Sequence, residues 1–100
     1  QKGDRLRAIL INAASINGLD SSAAHALEEI VSHYAAQGVK TYFSGVRGPV
    51  RDALAKAHLI EKIGKENFFM NVEQAVQQIE ADGQLRSNGI YKNYTLQTNQ

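Results

Sequence analysis

The sequence contains no cysteine, no tryptophan, a single proline and a single methionine. Without cysteine there can be no disulfide framework, no thiolate metal site and no cysteine nucleophile, and the composition is compatible with a reducing compartment. An excess of one charge is lacking too: eleven Lys and Arg stand against ten Asp and Glu, a formal net charge of +1. No long basic or acidic run disturbs that balance, so neither nucleic acid nor a polybasic membrane anchor is expected. Long hydrophobic runs are missing as well. The longest, Ala8 to Ala14, is interrupted by Asn12 and falls far short of the roughly 20 apolar residues that cross a bilayer.

What is present is the composition of a folded globule. Apolar residues make up 43% and charged residues 21% of 100 residues, enough for one core and one domain. The chain opens on polar residues, Gln1 to Arg5, with neither an initiating methionine nor a signal peptide, and reads as a piece of a longer polypeptide.

Arg7 to Asn12 is a short aliphatic run, as in a central strand buried on both faces. A loop with the turn dipeptide Asn17-Gly18 follows, and Asp20 or Ser21 can cap a helix. In that helix Ala23, Leu27, Ile30 and Tyr34 are expected to form the apolar stripe, closed by Gly38. A second strand is expected over Val39 to Ser44. Gly48-Pro49 then starts a helix with Val50, Leu54 and Ala57 inward. A third strand, Asn67 to Met70, leads to Asn71, an N-cap with Gln74 placed to complete a capping box. Val72, Ala75, Val76 and Ile79 carry the clearest helical period. Beyond Ala81 the pattern dissolves into polar residues, and residues 82–100 are expected to be a carboxy-terminal tail. The order β-α-β-α-β-α predicts an α/β domain with parallel strands and covering helices. Three strands make a narrow sheet, so strands on the amino-terminal side are expected to be missing.

The stretch Leu10-Ile-Asn-Ala-Ala-Ser-Ile-Asn-Gly-Leu-Asp-Ser-Ser-Ala-Ala-His-Ala-Leu-Glu-Glu-Ile30 resembles the signature of STAS domains, in which an aliphatic strand ends in a loop and Asp-Ser-Ser opens a helix. Gly45-Val-Arg-Gly-Pro-Val-Arg-Asp52 and Ile63-Gly-Lys-Glu-Asn-Phe-Phe69 resemble the branch found in bacterial SulP-type anion transporters. The likeness runs from about residue 6 to residue 81. Two departures are Asn12, where the family often has aspartate, and Ala23 after the second serine. The resemblance implies a non-catalytic regulatory domain without cofactor, on the cytoplasmic side of the inner membrane beneath a membrane-embedded transporter, preceded by two more strands and a helix. Its implied partners are the membrane domain of the same transporter, a second copy, and a serine kinase or nucleotide. The alternative is a free-standing anti-sigma factor antagonist.

In those antagonists the second serine of Asp-Ser-Ser is phosphorylated, and that position matches Ser22. A phosphate there would add about −1.5 to −2 charge beside a helix N-terminus, although Asp20, Ser21 and Ser22 are also ordinary capping residues. Arg47, Gly48 and Arg51 lie between a strand and a helix, where anions or nucleotides bind, yet the Gly-Lys-Ser/Thr ending of a P-loop is absent. Turn glycines and a proline helix start explain the same residues. His25, Glu29 and His33 recur every fourth residue without partner ligands from a second helix, and a surface role is the simpler reading. Serines lack a Gly-x-Ser-x-Gly setting. Asn93-Tyr-Thr95 is a glycosylation sequon by pattern. Tyr42 and Phe43, and Phe68 and Phe69, should face opposite sides of the sheet.

Overall fold

The computed structural model describes residues 5–83 and 89–96. Its strands are β1 (Arg5–Asn12), β2 (Lys40–Ser44), β3 (Phe68–Phe69) and β4 (Gly89–Thr95). Its helices are α1 (Ser21–Ala36), α2 (Gly48–Lys56), α3 (Leu59–Ile63) and α4 (Val72–Ala81). The sheet has the order β3-β2-β1-β4 and every pairing is parallel.

β1 is the centre of the domain because its aliphatic run leaves no polar side to turn outward. Ala8, Ile9, Leu10 and Ile11 are all essentially inaccessible. Pleating divides them: Ile9 and Ile11 join Phe43 on one face, where Val50, Leu54 and Leu59 from α2 and α3 and Leu27 and Val31 from α1 close the core. Ala8 and Leu10 join Tyr42 on the other, against Ala75 and Ile79 of α4. Tyr42 and Phe43 thus face opposite sides, as expected, each beside a partner from β3. Phe43 stacks on Phe68 at 5.0 Å between ring centroids, and Tyr42 lies 6.4 Å from Phe69. The chain moves outward from β1 to β2 to β3 with its helices on one face, then returns through α4 on the other, as right-handed crossovers require.

Several expectations are corrected. The buried stripe of α1 is Ala24, Leu27 and Val31, with Tyr34 half-buried, while Ile30 remains 42% exposed. Ala23-Ala24 and Ile30-Val31 are adjacent apolar pairs, so the period fits two faces equally, and packing against the sheet selects the rotation. The third strand is only Phe68–Phe69, because Asn67 closes a 3-10 turn and Met70 is 82% exposed. A short additional helix, α3, precedes it. Finally, the segment expected as a tail after Ala81 holds β4, a fourth strand along the free edge of β1. The polar composition of β4 hid it, since an edge strand is held by its backbone ladder and needs little apolar alternation.

Local signals act where expected. Asp20 caps α1, its Oδ1 accepting from Ala23 N at 2.8 Å. Asn71 caps α4, accepting from Gln74 N at 2.9 Å, but Gln74 Oε1 receives Met70 N rather than the cap's own amide. Asn67, buried, donates from Nδ2 to Ile63 O at 2.8 Å and satisfies a carbonyl at the end of α3.

Candidate functional site

The residues singled out by sequence meet at the carboxyl edge of the sheet, where open α/β sheets place ligands and partners. β1 ends at Asn12, whose Oδ1 accepts from Ala14 N at 3.0 Å and turns the chain. Ala13 N donates to Ser44 O at 2.8 Å, Gly45 N to Phe69 O at 2.9 Å and Leu96 N to Asn12 O at 2.8 Å. Backbone bonds therefore lace the ends of all four strands into one rigid rim. Gly45 makes that lacing possible. Its φ is +73°, and a β-carbon there would stand 2.8 Å from Ala14 Cβ and 2.9 Å from Ala14 N, so the loops after β1 and β2 touch only because glycine separates them.

Asp20, Ser21 and Ser22 form the cap and first turn of α1, and all three are exposed. The 45–51 loop lies directly beside them. Arg47 is the N-cap of α2 and donates from Nη1 to Asn17 Oδ1 at 3.4 Å, reaching back to the β1–α1 loop. Arg51 instead lies with Cζ 5.5 Å from the ring centre of Phe68, a cation–π contact toward the opposite side. Gly48 has open space where a side chain would be; it opens α2 without being demanded by packing.

From this rim a groove of about 950 Å³ descends between α1 and the α2–α3 pair, lined by Ser21, His25, Glu28, Pro49, Asp52, Lys56, His58 and Lys62 among others. Ser21 faces it, and Ser22 is not among its walls. Lys62 Nζ donates to Glu28 Oε2 at 3.0 Å, and Ser32 Oγ donates to the same oxygen at 3.0 Å. The Lys62 ammonium, with help from Ser32, holds the Glu28 carboxyl below its usual range. His25 pairs with Glu29 at 3.3 Å and His58 faces Glu61 at 3.7 Å. His33 meets Gln37 at 3.2 Å. Among the described residues, no three His, Asp or Glu converge as a metal site.

The model of the STAS domain family matches residues 1–75. This chain belongs to the STAS domain family. The chain is similar to a probable sulfate transporter 4.2 of Arabidopsis thaliana, 34% identical over 74 residues, covering 74% of this chain and 11% of that protein. It is similar to the low affinity sulfate transporter 3 of Stylosanthes hamata, 35% identical over 72 residues, or 72% and 11%. A probable sulfate transporter of Mycobacterium tuberculosis is 31% identical over 68 residues, or 68% and 12%. The chain thus spans only about a tenth of the length of the relatives it matches.

Two features of this STAS domain carried no sequence signal. Asp82, at the end of α4, accepts from Tyr42 Oη at 2.6 Å, from Lys40 Nζ at 3.0 Å and from Gln78 Nε2 at 2.8 Å, which ties the helix to β2. The phenols of Tyr34 and Tyr94 meet at 2.8 Å and tie α1 to β4. The contacts of Asp82 with Tyr42 and Lys40 and of Tyr34 with Tyr94 join residues about 40 to 60 positions apart, which no local pattern could pair.

Proposed function

We propose that this chain is the regulatory STAS domain of a SulP-type anion transporter, on the cytoplasmic side of the membrane, and that it acts through protein contacts and performs no catalysis. One observation carries the reading: proteins named as sulfate transporters match about three quarters of the chain, which spans only a tenth of them. The principal partner is then the membrane portion of the same polypeptide, and a second copy is the other. Among the described residues no helix is long and apolar enough to cross a membrane, so anion passage belongs to the rest of the protein.

The rim of laced loops supports a contact role, because a partner docking there loses little to ordering the surface it meets. Ser22, exposed in the first turn of α1, is the position where a serine kinase would alter that surface. A phosphate beside the helix N-terminus is tolerated by the fold and felt by the partner. Arg47 and Gly48, at the start of α2, are where an anion or nucleotide would meet the domain, with Arg51 drawn off by Phe68.

Expression of the complete polypeptide in cells lacking their own sulfate uptake tests the reading. Labelled sulfate or a related anion should enter, and uptake should fall when Gly45→Val disrupts this domain while the membrane portion remains inserted. A complete protein that moves no anion, or whose uptake ignores the loss of this domain, overturns it.

A further inference from the structure

We infer that the hollow between α1 and β4 is a binding site for a small uncharged ligand, one with an apolar body and a hydrogen-bond acceptor such as a carbonyl oxygen. The site goes beyond the regulatory reading above and does not depend on it.

α1 packs over β1, and β4 continues the sheet along the edge of β1. Between α1 and β4 lies an apolar hollow of about 460 Å³, within the roughly 300–1,000 Å³ typical of small-molecule sites. Ile11 and Leu27 are buried beneath it, Tyr34, Tyr94 and Leu96 are half-buried around it, and Ile30, 42% exposed, stands at its lip. The rotation of α1 that buries Val31 thus leaves Ile30 outside the core, beside a space that an apolar ligand fills. Covering such a side chain is favourable in proportion to the apolar area removed from water. The groove described above runs along the other flank of α1, so the two spaces are separate.

Charge decides the class of ligand. Among the described residues, no lysine or arginine borders the hollow. Lys92 Nζ lies 5.3 Å from the centre of the Tyr94 ring without forming part of the lining. Glu29 and His33 do border it, but Glu29 is paired with His25 at 3.3 Å and His33 meets Gln37 at 3.2 Å. An anion entering here gives up its hydration for no cation, which excludes sulfate-like ions from this site.

The hydroxyls of Tyr34 and Tyr94 supply the one polar anchor. One donates to the other at 2.8 Å. Two phenols carry two protons and this bond uses one, so the accepting phenol keeps a proton for which no acceptor stands among the described residues. A carbonyl oxygen on the ligand receives it and extends the pair into a chain of two hydrogen bonds, while the ligand's body lies against Leu27, Ile30 and Leu96.

Three probes of similar size test this. The 15N-labelled 100-residue chain is titrated with acetophenone, with ethylbenzene, which lacks the carbonyl, and with benzoate, which adds a negative charge. Acetophenone should move the amides of Leu27, Ile30, Tyr94 and Leu96 saturably, leave those of Lys56 and Lys62 in the groove unmoved, and bind about fivefold more tightly than ethylbenzene. Benzoate should move none of them. Replacing both phenols, Tyr34→Phe with Tyr94→Phe, should bring acetophenone down to the affinity of ethylbenzene and leave ethylbenzene unchanged. The absence of saturable shifts at the four amides overturns the site, and should the double variant fail to fold, the three titrations of the unmodified chain still decide. Benzoate binding as tightly as acetophenone overturns the uncharged class, and a preference for acetophenone that survives in the folded double variant overturns the role of the phenols. None of these outcomes bears on anion uptake by the complete polypeptide.

Discussion

The phenol of Tyr42 donates to Asp82 Oδ2 at 2.6 Å, so a strand that is otherwise core reaches out to hold the C-cap residue of the helix covering it. The same carboxylate takes Lys40 and Gln78, and the Tyr42 hydroxyl, followed by these, keeps Asp82 ionised to lower pH than an ordinary aspartate.

That relationship sets a pH dependence. A carboxyl depressed in the folded state contributes stability that is complete above its unfolded value, near 3.8, and lost as pH falls through the folded value. Urea unfolding should therefore show stability declining from about pH 4 downward. Asp82→Asn should flatten that decline and lower stability at pH 7. Glu28, held low by Lys62, leaves a residual slope of the same sign. At pH 7, Tyr42→Phe should cost about 1.5 kcal/mol, as expected for a hydrogen bond to a charged group. An acid limb of equal slope in wild type and Asp82→Asn would refute the assignment.

The two glycines of the 45–51 loop should behave oppositely. Gly45→Ala adds a carbon 2.8 Å from Ala14 at a left-handed backbone position, and a loss of about 2–4 kcal/mol is expected. Gly48→Ala meets nothing within 4 Å and should raise stability by about 0.5 kcal/mol by restricting the unfolded chain. Chemical denaturation of both variants reads the contrast. If Gly48→Ala leaves the fold intact but abolishes shifts of the loop amides on adding nucleotide, close backbone approach to an anion is the reason for that glycine.

The rotation of α1 is testable at neighbouring positions. Val31 is 3% exposed and Ile30 42%. Val31→Ala should cost about 2 kcal/mol, and Ile30→Ala less than about 1 kcal/mol despite removing more carbon. A larger loss for Ile30→Ala than for Val31→Ala in the same denaturation measurement would mean that the helix presents the face expected from the sequence.

Ser22→Asp should leave unfolding of the isolated chain within about 0.5 kcal/mol of wild type, since a negative charge in the first turn is compatible with the helix dipole. In the complete polypeptide it should change anion uptake or crosslinking to the membrane portion. Ser21→Asp, pointing into the groove beside Asp52 and Glu28, should differ from it. Identical uptake by wild type and Ser22→Asp would remove the switch.

By itself the sequence determined whatever depends on neighbours along the chain. The aliphatic run Ala8–Ile11 reads as a central strand, Asp20 or Ser21 and Asn71 as helix caps, and the glycines and proline mark where the chain turns. The blocks from Leu10 to Phe69 carried the family for the same reason, because contiguous residues hold them. The tertiary structure alone decided what depends on residues distant in sequence: the rotation of α1 between two equally apolar faces, the recruitment of polar β4 to the edge of β1, the grip of Asp82 on Tyr42 and the divergence of Arg47 from Arg51. Periodicity records that a face is apolar and says nothing of what it meets; those choices follow from close packing and backbone pairing across the folded chain.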